Sequence, residues 1–572
     1  MNLDGAQALL KTLNSLGIEY IFGYSGGAAL PIFDALETTD TNLKFILSRH
    51  EQGATHMADG YARATGKPAA VLVTSGPGVG NTITGLMTAQ MDSVPMILLS
   101  GQQVTWMLGK DAFQEADTFS ISLPVVKHNY LVKNTNDIPR IAREAYHIAT
   151  TGRPGPVLID LPKDITQGEF TGSLDAEINL PGYHPEKAFN IDESKIDEAI
   201  ELIKEAKRPL ILAGQGAMIA RADKELMEFA ETLGCPVTST LLGKGVFPET
   251  HELALGMLGM HGTAYANKAV VECDLIINIG SRFDDRILGK TEMFCRNAKK
   301  IHFDIDAAEI NKMIEVDVAI IGDAKASLQA INKKIKPLET QEWLKHLNGY
   351  KKKYPLNYKK QGGLKMQQVI DEFYQLTEGK AIMSTDVGQH QMWAAQFYKN
   401  HQSFEWLSSG GAGTMGFGFP AAIGAAFACP DKIVACVVGD GGFQMTLCEL
   451  ATAAIHKLPI KILVLNNHYL GMVRQWQELF FDDRKSGVDL EGNPDFVKLA
   501  AAYGVKGFNI KRPVDVRKVL QQALDYNDGP VLINAECLKT DNVFPMIPAG
   551  APLEEMLIER PKGQMAKPEG ST

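Results

Sequence analysis

An acid, Asp440, stands between glycines in "VVGDGGFQMT" (437–446), directly after the strand-like apolar run "KIVACVV". Ligands of open parallel sheets gather beyond the carboxyl ends of strands, where this residue falls, and Gly439 and Gly441 let backbone approach a bulky group. A carboxylate there repels a phosphate unless a cation lies between them. Mg²⁺ suits, since it takes about six oxygens near 2.0–2.1 Å, one or two from protein carboxylates and the rest from phosphate and water. A second oxygen ligand is expected from a neighbouring strand end. The next such run, "KILVLNN", brings Asn466 and Asn467, with 24 residues between Gly441 and Asn466, room for one crossover helix, "LCELATAAIHKL". GDG and NN are each ordinary turn chemistry, but together on consecutive strands they are a strong signal of a metal and phosphate site.

The elements that must position such a site come from a chain of 572 residues, too long for one core and enough for about three or four domains. Short Val/Ile/Leu runs recur between helical patterns: "AAVLVTSG", "PMILLSG", "PVLIDLP", then "PLILAGQG", "DLIINIGS", "IHFDID", then "IVACVVGDG", "KILVLNN", "PVLINAE". Such runs are buried parallel strands alternating with helices, so the fold class is α/β, three units each with a mostly parallel sheet flanked by helices. Two stretches break the rhythm, 165–192 and the Lys-rich 333–363, and both read as connections between units. The units expected are 1–170, 190–335 and 364–540, followed by a tail, 541–572.

Composition excludes several classes. Lys plus Arg is 57 and Asp plus Glu 67, a formal charge of −10, which argues against a nucleic-acid binder. Seven scattered cysteines, never in a CxxC pair, suggest neither a disulfide framework nor a zinc site, and a reducing cytoplasm fits. The start, "MNLDGAQALLKTLNSLGIEY", reads as an amphipathic helix capped near Asp4 rather than a signal peptide. The longest apolar run, "GFGFPAAIGAAFAC" (416–429), is too short to span a membrane and contains Pro420.

GDG followed at this distance by NN resembles the diphosphate-binding fingerprint of thiamin-diphosphate enzymes. The resemblance implies that Asp440 and Asn467 supply metal oxygens, with the Tyr469 carbonyl as third protein ligand. "DVGQHQ" (386–391), with Gly388, Gln389 and His390, and "SSGGAGTMGFGFPAA" (408–422), with Gly413, resemble the loops for the diphosphate and thiazolium. Met415 matches the residue that keeps the cofactor bent, and Gly441, Leu470, Gly471 and Met472 complete the pocket. "SRHEQGATHMADGYARATG" (48–66) resembles the family's glutamate motif. It makes Glu51 the carboxylate on the cofactor's pyrimidine nitrogen, which pushes that ring into the form able to deprotonate C2. Without that context Glu51 is an exposed residue at a helix start.

The resemblance runs through the chain and narrows to the acetohydroxyacid synthase (acetolactate synthase) catalytic-subunit family: "FGYSGGA" (22–28), "TSGPG" (74–78), "DAFQE" (111–115), "MLGMHGT" (257–263), "GSRFDDR" (280–286), "HFDID" (302–306), "NNHYLGMVRQWQ" (466–477) and "VFPMIPAGA" (543–551). It implies FAD on the central unit, through Arg153, Gly214, Gly216, Met260, His261, Gly280, Arg282, Asp304, Asp306, Gly322 and Asp323. It implies that pyruvate is decarboxylated and its remaining two carbons joined to the ketone of pyruvate or 2-oxobutyrate, on the route to branched-chain amino acids. Arg286 matches the group for the second substrate's carboxylate and Trp476 the group for its alkyl tail, with Phe113, Gln114 and Lys163 lining the pocket. Taken alone, Arg286 is a surface ion-pair residue and Trp476 a core aromatic. The family further implies a homodimer or higher oligomer, since it builds each site from two chains, a small regulatory subunit, for which no motif is visible, and the tail over the active site.

Three positions depart from the family pattern: Ser25 where Pro is usual, Ala412 where Leu is usual, and Gly442 where "GDGS" has Ser. They bear on the fit around the thiazolium, not on the metal ligands or Glu51. The alternatives are an FAD-dependent pyruvate oxidase, an FAD-free catabolic acetolactate synthase, and a cofactor-bound scaffold without activity, which the retained Glu51, Asp440 and Asn467 oppose.

Overall fold

A computed structural model describes residues 3–561. The Val/Ile/Leu runs form three six-stranded parallel sheets, with nearly every residue of the central strands buried, as strands covered by helices on both faces require. The first holds β1 (Tyr20–Gly23), β2 (Lys44–Leu47), β3 (Ala69–Val73), β4 (Met96–Gln102), β5 (His128–Leu131) and β6 (Pro156–Pro162), in the order β2-β1-β3-β4-β6-β5. The second holds β7 (Pro209–Ala213), β8 (Val237–Ser239), β9 (Ala254–Met257), β10 (Leu275–Ile279), β11 (Lys299–Asp304) and β12 (Val318–Ile321), in the order β9-β8-β7-β10-β11-β12. The third holds β13 (Ile382–Thr385), β14 (Trp406–Ser408), β15 (Val434–Gly439), β16 (Lys461–Asn466), β17 (Lys506–Ile510) and β18 (Val531–Glu536), in the order β14-β13-β15-β16-β18-β17. The first and third sheets therefore share one strand order, a duplication that the sequence does not display. The second has the order of dinucleotide-binding sheets.

The first and third units also share a core. Phe22, Met57 and Leu98 of the first lie in one apolar cluster with Phe419, Val438 and Val464 of the third. At its centre α1 (Glu51–Thr65), which follows β2, packs on α2 (Gly418–Ala428), which follows the equivalent strand β14. Glycine makes the close approach: a Cβ on Gly60 would lie 2.1 Å from the Ala421 carbonyl oxygen, and one on Gly424 1.9 Å from that of Met57. The apolar run 416–429 is thus a buried core helix, and it starts two residues before Pro420, whose missing N–H costs nothing in a first turn. Arg63 seals the junction, with its guanidinium on Asp59 and, at 2.8 Å, on Asp92, and a further bond to the Ser408 carbonyl.

At the amino end Asp4 caps the helix Gly5–Ser15 in a reciprocal capping box with Gln7. Two readings are corrected. Residues 333–363 are not all connection, because Gln341–Lys353 is a helix of the central unit, with Trp343 and Leu347 buried in that unit's core and the Trp343 indole donating to the Pro209 carbonyl at 3.0 Å. Its lysines crowd the exposed face and last turn and mask the i, i+4 apolar pair. The crossover after GDG is not one helix over 447–458 but a chain of three pieces: α3 (Asp440–Thr446), a 3₁₀ turn (Leu447–Glu449) and a short helix (Leu450–Ile455). Thr446, donating to the Gly416 carbonyl at 3.0 Å, sits where the first piece ends.

Candidate active site

At the carboxyl end of the third sheet three helices point their amino termini at one small cavity of about 50 Å³. They are α3, the helix Gln389–Phe397 and the helix Gly471–Phe480, and none has a side chain capping its first amides. Unsatisfied N–H groups and helix dipoles converging on one point make an anion site. The cavity wall contains Gly388, Gln389, His390, Met415, Asp440, Gly441, Asn467, Tyr469, Leu470, Gly471 and Met472, so all these predicted residues meet there. Gly413 does not line it and lies two residues upstream of Met415 in the same loop.

Asp440 is buried, and burial holds its carboxyl above the usual range, against a 2.7 Å bond from the Asn493 amide. Asn493 also accepts from Gln444, which in turn donates to the Asp440 carbonyl, both at 2.9 Å. Sequence reasoning missed Asn493: it sits in the turn "EGNPD", fifty-three positions from its partner, with no local signal. The Asn467 side-chain oxygen accepts from the Tyr469 amide at 3.2 Å, across a His468 held at φ 57°. One carboxylate with amide oxygens suits a Mg²⁺ that also takes phosphate oxygens, and among the described residues no cluster of three acidic, His or Cys ligands offers an alternative. His390 is buried, neutral with its pKa driven down to about 3 by burial, and its Nε2 has no partner, as expected of a wall that awaits a ligand. Beneath it Asp386 accepts from the Gly416 amide at 3.0 Å and the Val387 amide at 2.7 Å. A Cβ on Gly442 would lie 2.8 Å from the Asp386 carboxyl carbon, so a larger residue there requires that carboxylate to shift.

The first unit gathers a second constellation at the equivalent sheet end. Glu51 opens α1, half-buried, and its Oε2 accepts from the Asn81 amide at 3.0 Å. The neighbouring glycines fit tightly: a Cβ on Gly78 would lie 2.8 Å from the Thr74 methyl, with Glu51 next at 3.6 Å, and one on Gly76 2.9 Å from the Gln114 carbonyl. The Ala28 amide binds Thr74 at 3.3 Å. The motifs at 22–28, 74–78 and 111–115 thus meet around Glu51. Phe113 is 80% exposed, and Lys163 is half-buried at the start of the helix Lys163–Gln167. Glu51 does not line the cavity that holds Asp440 in the same chain.

The central unit carries a cleft of about 510 Å³, in the range of cofactor pockets. Arg153, Gly216, Gly280, Arg282, Asp304, Asp323 and Arg286 line it, with Met91 and Ser93 of the first unit and Gly410 and Gly411 of the third. Gly214 does not line it and serves the backbone instead, since a Cβ there would lie 2.2 Å from the Gly280 carbonyl oxygen; Gly280, which does line it, has φ 66°. Asp306 is paired to Arg153 at 3.1 Å, and Asp323 caps the helix Ala324–Asn332. Gly322 packs on the Ala188 carbonyl, outside the cleft wall. Met260 and His261 lie under the tail: the Met260 amide donates to the Arg286 carbonyl and its own carbonyl accepts from Ile547, each at 2.8 Å, while His261 faces the Pro545 carbonyl at 3.4 Å.

That tail, through residue 561, joins the central unit to the helix Gly471–Phe480. Gln475 binds the Val543 amide at 2.7 Å and its carbonyl at 3.1 Å. Trp476 stacks edgewise on Phe480 at 5.3 Å, beside Phe544 and Met546. The Arg286 side chain is largely exposed, 3.6 Å from Asp285.

Three family models match consecutive parts of the chain: the N-terminal TPP binding domain of thiamine pyrophosphate enzymes over residues 3–121, their central domain over 196–331, and their C-terminal TPP binding domain over 386–535. Among curated proteins, the chain is 45% identical to an acetolactate synthase large subunit of Haemophilus influenzae over 98% of its length and 99% of the relative. It is 47% identical to the one of Lactococcus lactis, over 97% and 96%, and 45% identical to an acetolactate synthase of Mycobacterium bovis, over 98% and 92%.

Proposed function

The chain belongs to the acetolactate synthase large-subunit family of thiamine pyrophosphate enzymes, and from that premise we propose how its residues carry the reaction. The reaction converts two pyruvates into one 2-acetolactate and one CO₂, in branched-chain amino-acid biosynthesis; with 2-oxobutyrate as acceptor the product is 2-aceto-2-hydroxybutyrate. No electrons are exchanged overall.

Thiamin diphosphate, when bound, supplies a carbon that can become nucleophilic and a ring that accepts the electron pair released with CO₂. The observation that carries the reading is the convergence of three uncapped helix amino termini beside a buried Asp440. Their amides would take the diphosphate, and Asp440, Asn467 and the Tyr469 carbonyl would hold the Mg²⁺ that offsets its charge. Glu51 would hold a proton at the cofactor's pyrimidine, and Met415 would line the wall beside it. Arg286 takes the acceptor's carboxylate and Trp476 its alkyl group, with Phe113, Gln114 and Lys163 nearby.

FAD fits the large cleft of the central unit, whose strand order and lining Arg and Asp side chains suit a dinucleotide. A homodimer, in which a second copy completes each site, is supported by Glu51 lying outside the cavity of its own chain's Asp440; a fully active monomer would refute it. The naming of its relatives as large subunits supports a small regulatory partner. Seven free cysteines suit the cytoplasm. Among the described residues no helix is long and apolar enough to cross a membrane. Supplying the purified holoenzyme with pyruvate plus 2-oxobutyrate and identifying the products tests the assignment. Acetate, or flavin bleaching by pyruvate, would indicate an oxidase, and a colourless active protein the FAD-free synthase.

A further inference from the structure

Glu449 ends the 3₁₀ turn nine residues after Asp440, yet its carboxylate leaves the third unit. It is wholly buried at the amino end of α1, in the first unit. Its Oε1 accepts from the Arg49 and His50 amides, both at 3.0 Å, and its Oε2 from the Arg49 amide at 3.0 Å and the Thr452 hydroxyl at 2.9 Å. Thr452 also donates to the Leu47 carbonyl, the last residue of β2, at 3.2 Å. A Cβ on Gly53 would lie 2.3 Å from Glu449 Oε1, so the first turn of α1 is shaped around this carboxylate. Glycine is disfavoured inside a helix relative to alanine, and the site accepts that cost. Burial raises the Glu449 carboxyl to about 7, against the pull of its amide donors and Arg49.

Apart from the Thr452–Glu449 bond inside the third unit, each of these bonds falls on the turn Leu47–His50, and the next residue is Glu51. Among the described residues, that residue's own side chain has the Asn81 amide alone as hydrogen-bond partner to orient it. The direction of its carboxylate therefore depends on a turn that the first unit does not hold alone.

We propose that Glu449 is a positioning residue for the reaction: reaching across from the third unit, it fixes the Leu47–His50 turn and so aims Glu51. The inference rests on the reading of Glu51 as the acid at the pyrimidine. It ties the crossover that carries Asp440 to the helix that carries Glu51, so one element sets the metal ligand of one site and the acid of another.

The test uses the full-length protein with Glu449→Ala, Glu449→Gln and, in parallel, Glu51→Gln. Without cofactor, backbone hydrogen exchange of a peptide covering residues 47–53 is followed by mass spectrometry. Exchange should speed up at least ten-fold in Glu449→Ala and less in Glu449→Gln, whose amide oxygen still accepts, with distant peptides unchanged. With thiamin diphosphate and Mg²⁺ bound, C2-proton exchange into D₂O should slow by about 10²-fold in Glu449→Ala, the scale of a misaimed catalytic group, and partly recover in Glu449→Gln, while thiamin-diphosphate affinity stays within about three-fold. Slow C2 exchange in Glu51→Gln with wild-type rates in both Glu449 variants overturns the inference alone. Wild-type C2 exchange in Glu51→Gln overturns the reading beneath it. If Glu449→Ala does not fold, Glu449→Gln decides: slowed C2 exchange at an unchanged melting temperature supports positioning, and wild-type exchange refutes it.

Discussion

The first and third sheets have the same strand order, and the helices after their second strands, α1 and α2, pack on each other, yet their carboxyl ends do opposite things. The third unit leaves three helix amino termini uncapped around a small cavity and buries Asp440 in its wall. The first caps α1 with His50, whose ring accepts from the Gln52 amide, and presents a half-exposed carboxylate, Glu51. One frame thus gives an anion cradle and, in its duplicate, an acid that faces outward. Chemistry follows from the few residues after each strand rather than from topology. The two ends are complementary, which is what a site shared between two copies needs.

The largest expected effects break each half separately. Glu51→Gln keeps the shape but cannot hold a proton that moves, so kcat should fall by roughly 10²–10⁴-fold with thiamin-diphosphate affinity nearly unchanged. Near-normal turnover by steady-state assay would remove the acid from the first unit. Asp440→Ala should weaken Mg²⁺-dependent thiamin-diphosphate binding by about 10²-fold, close to 2.7 kcal/mol, while flavin absorbance stays with the protein. Calorimetric titration reads the first and a visible spectrum the second; loss of both cofactors at once would mean that the substitution only unfolds the chain.

How far the sequence discloses this contrast depends on how local each feature is. The parallel strands are legible because burial on both faces leaves unbroken Val/Ile/Leu runs, and GDG with NN is legible because each lies at a strand end. Asn493, Gln475 and Glu449 are not, since each works through a partner at least 53 positions away along the chain. The shared strand order is invisible because register and neighbour choice leave no pattern in composition. The Lys-rich helix Gln341–Lys353 was hidden by its own solvent face, with only Trp343 and Leu347 marking the buried side.

A smaller effect is expected where the third unit meets the tail. Pyruvate and 2-oxobutyrate differ by one methylene, worth about 0.8 kcal/mol on burial and roughly 1–3 kcal/mol in a shaped pocket. If Trp476 gives its indole face to the acceptor, Trp476→Leu should lower the ratio of acetohydroxybutyrate to acetolactate about ten-fold in a mixed-substrate assay, with pyruvate turnover preserved. The indole also stacks on Phe480 and packs by Met546, so an unchanged ratio with a uniform loss of activity would make it a packing residue only.

The smallest effect on turnover concerns the acids that each of the two sheets buries. Asp386, after β13, is fixed by the Gly416 and Val387 amides and titrates near 6; Asp160, on β6, accepts from the Gln102 side chain at 3.0 Å, leaves Oδ1 unpaired, and titrates near 7. Burial is the main cause of both shifts, and the backbone amides of the third unit offset more of it than the side chains of the first. The sign follows: an unfolded carboxyl loses its proton near 3.9, whereas the folded protein keeps this one until about 7. Across that interval the folded state binds more protons, so stability falls as pH rises, and below it the term vanishes. Asp160→Asn removes the ionisation but adds an N–H that needs a partner, which leaves a net gain of about 1–2 kcal/mol at pH 8 and little or none at pH 4.5. Melting temperatures of variant and wild type should therefore diverge with rising pH, by a larger margin than for Asp386→Asn, with kcat unchanged for the Asp160 variant. Parallel melting curves at both pH values would show that Asp160 is ionised at no cost, and that the two sheets hold their buried acids equally well.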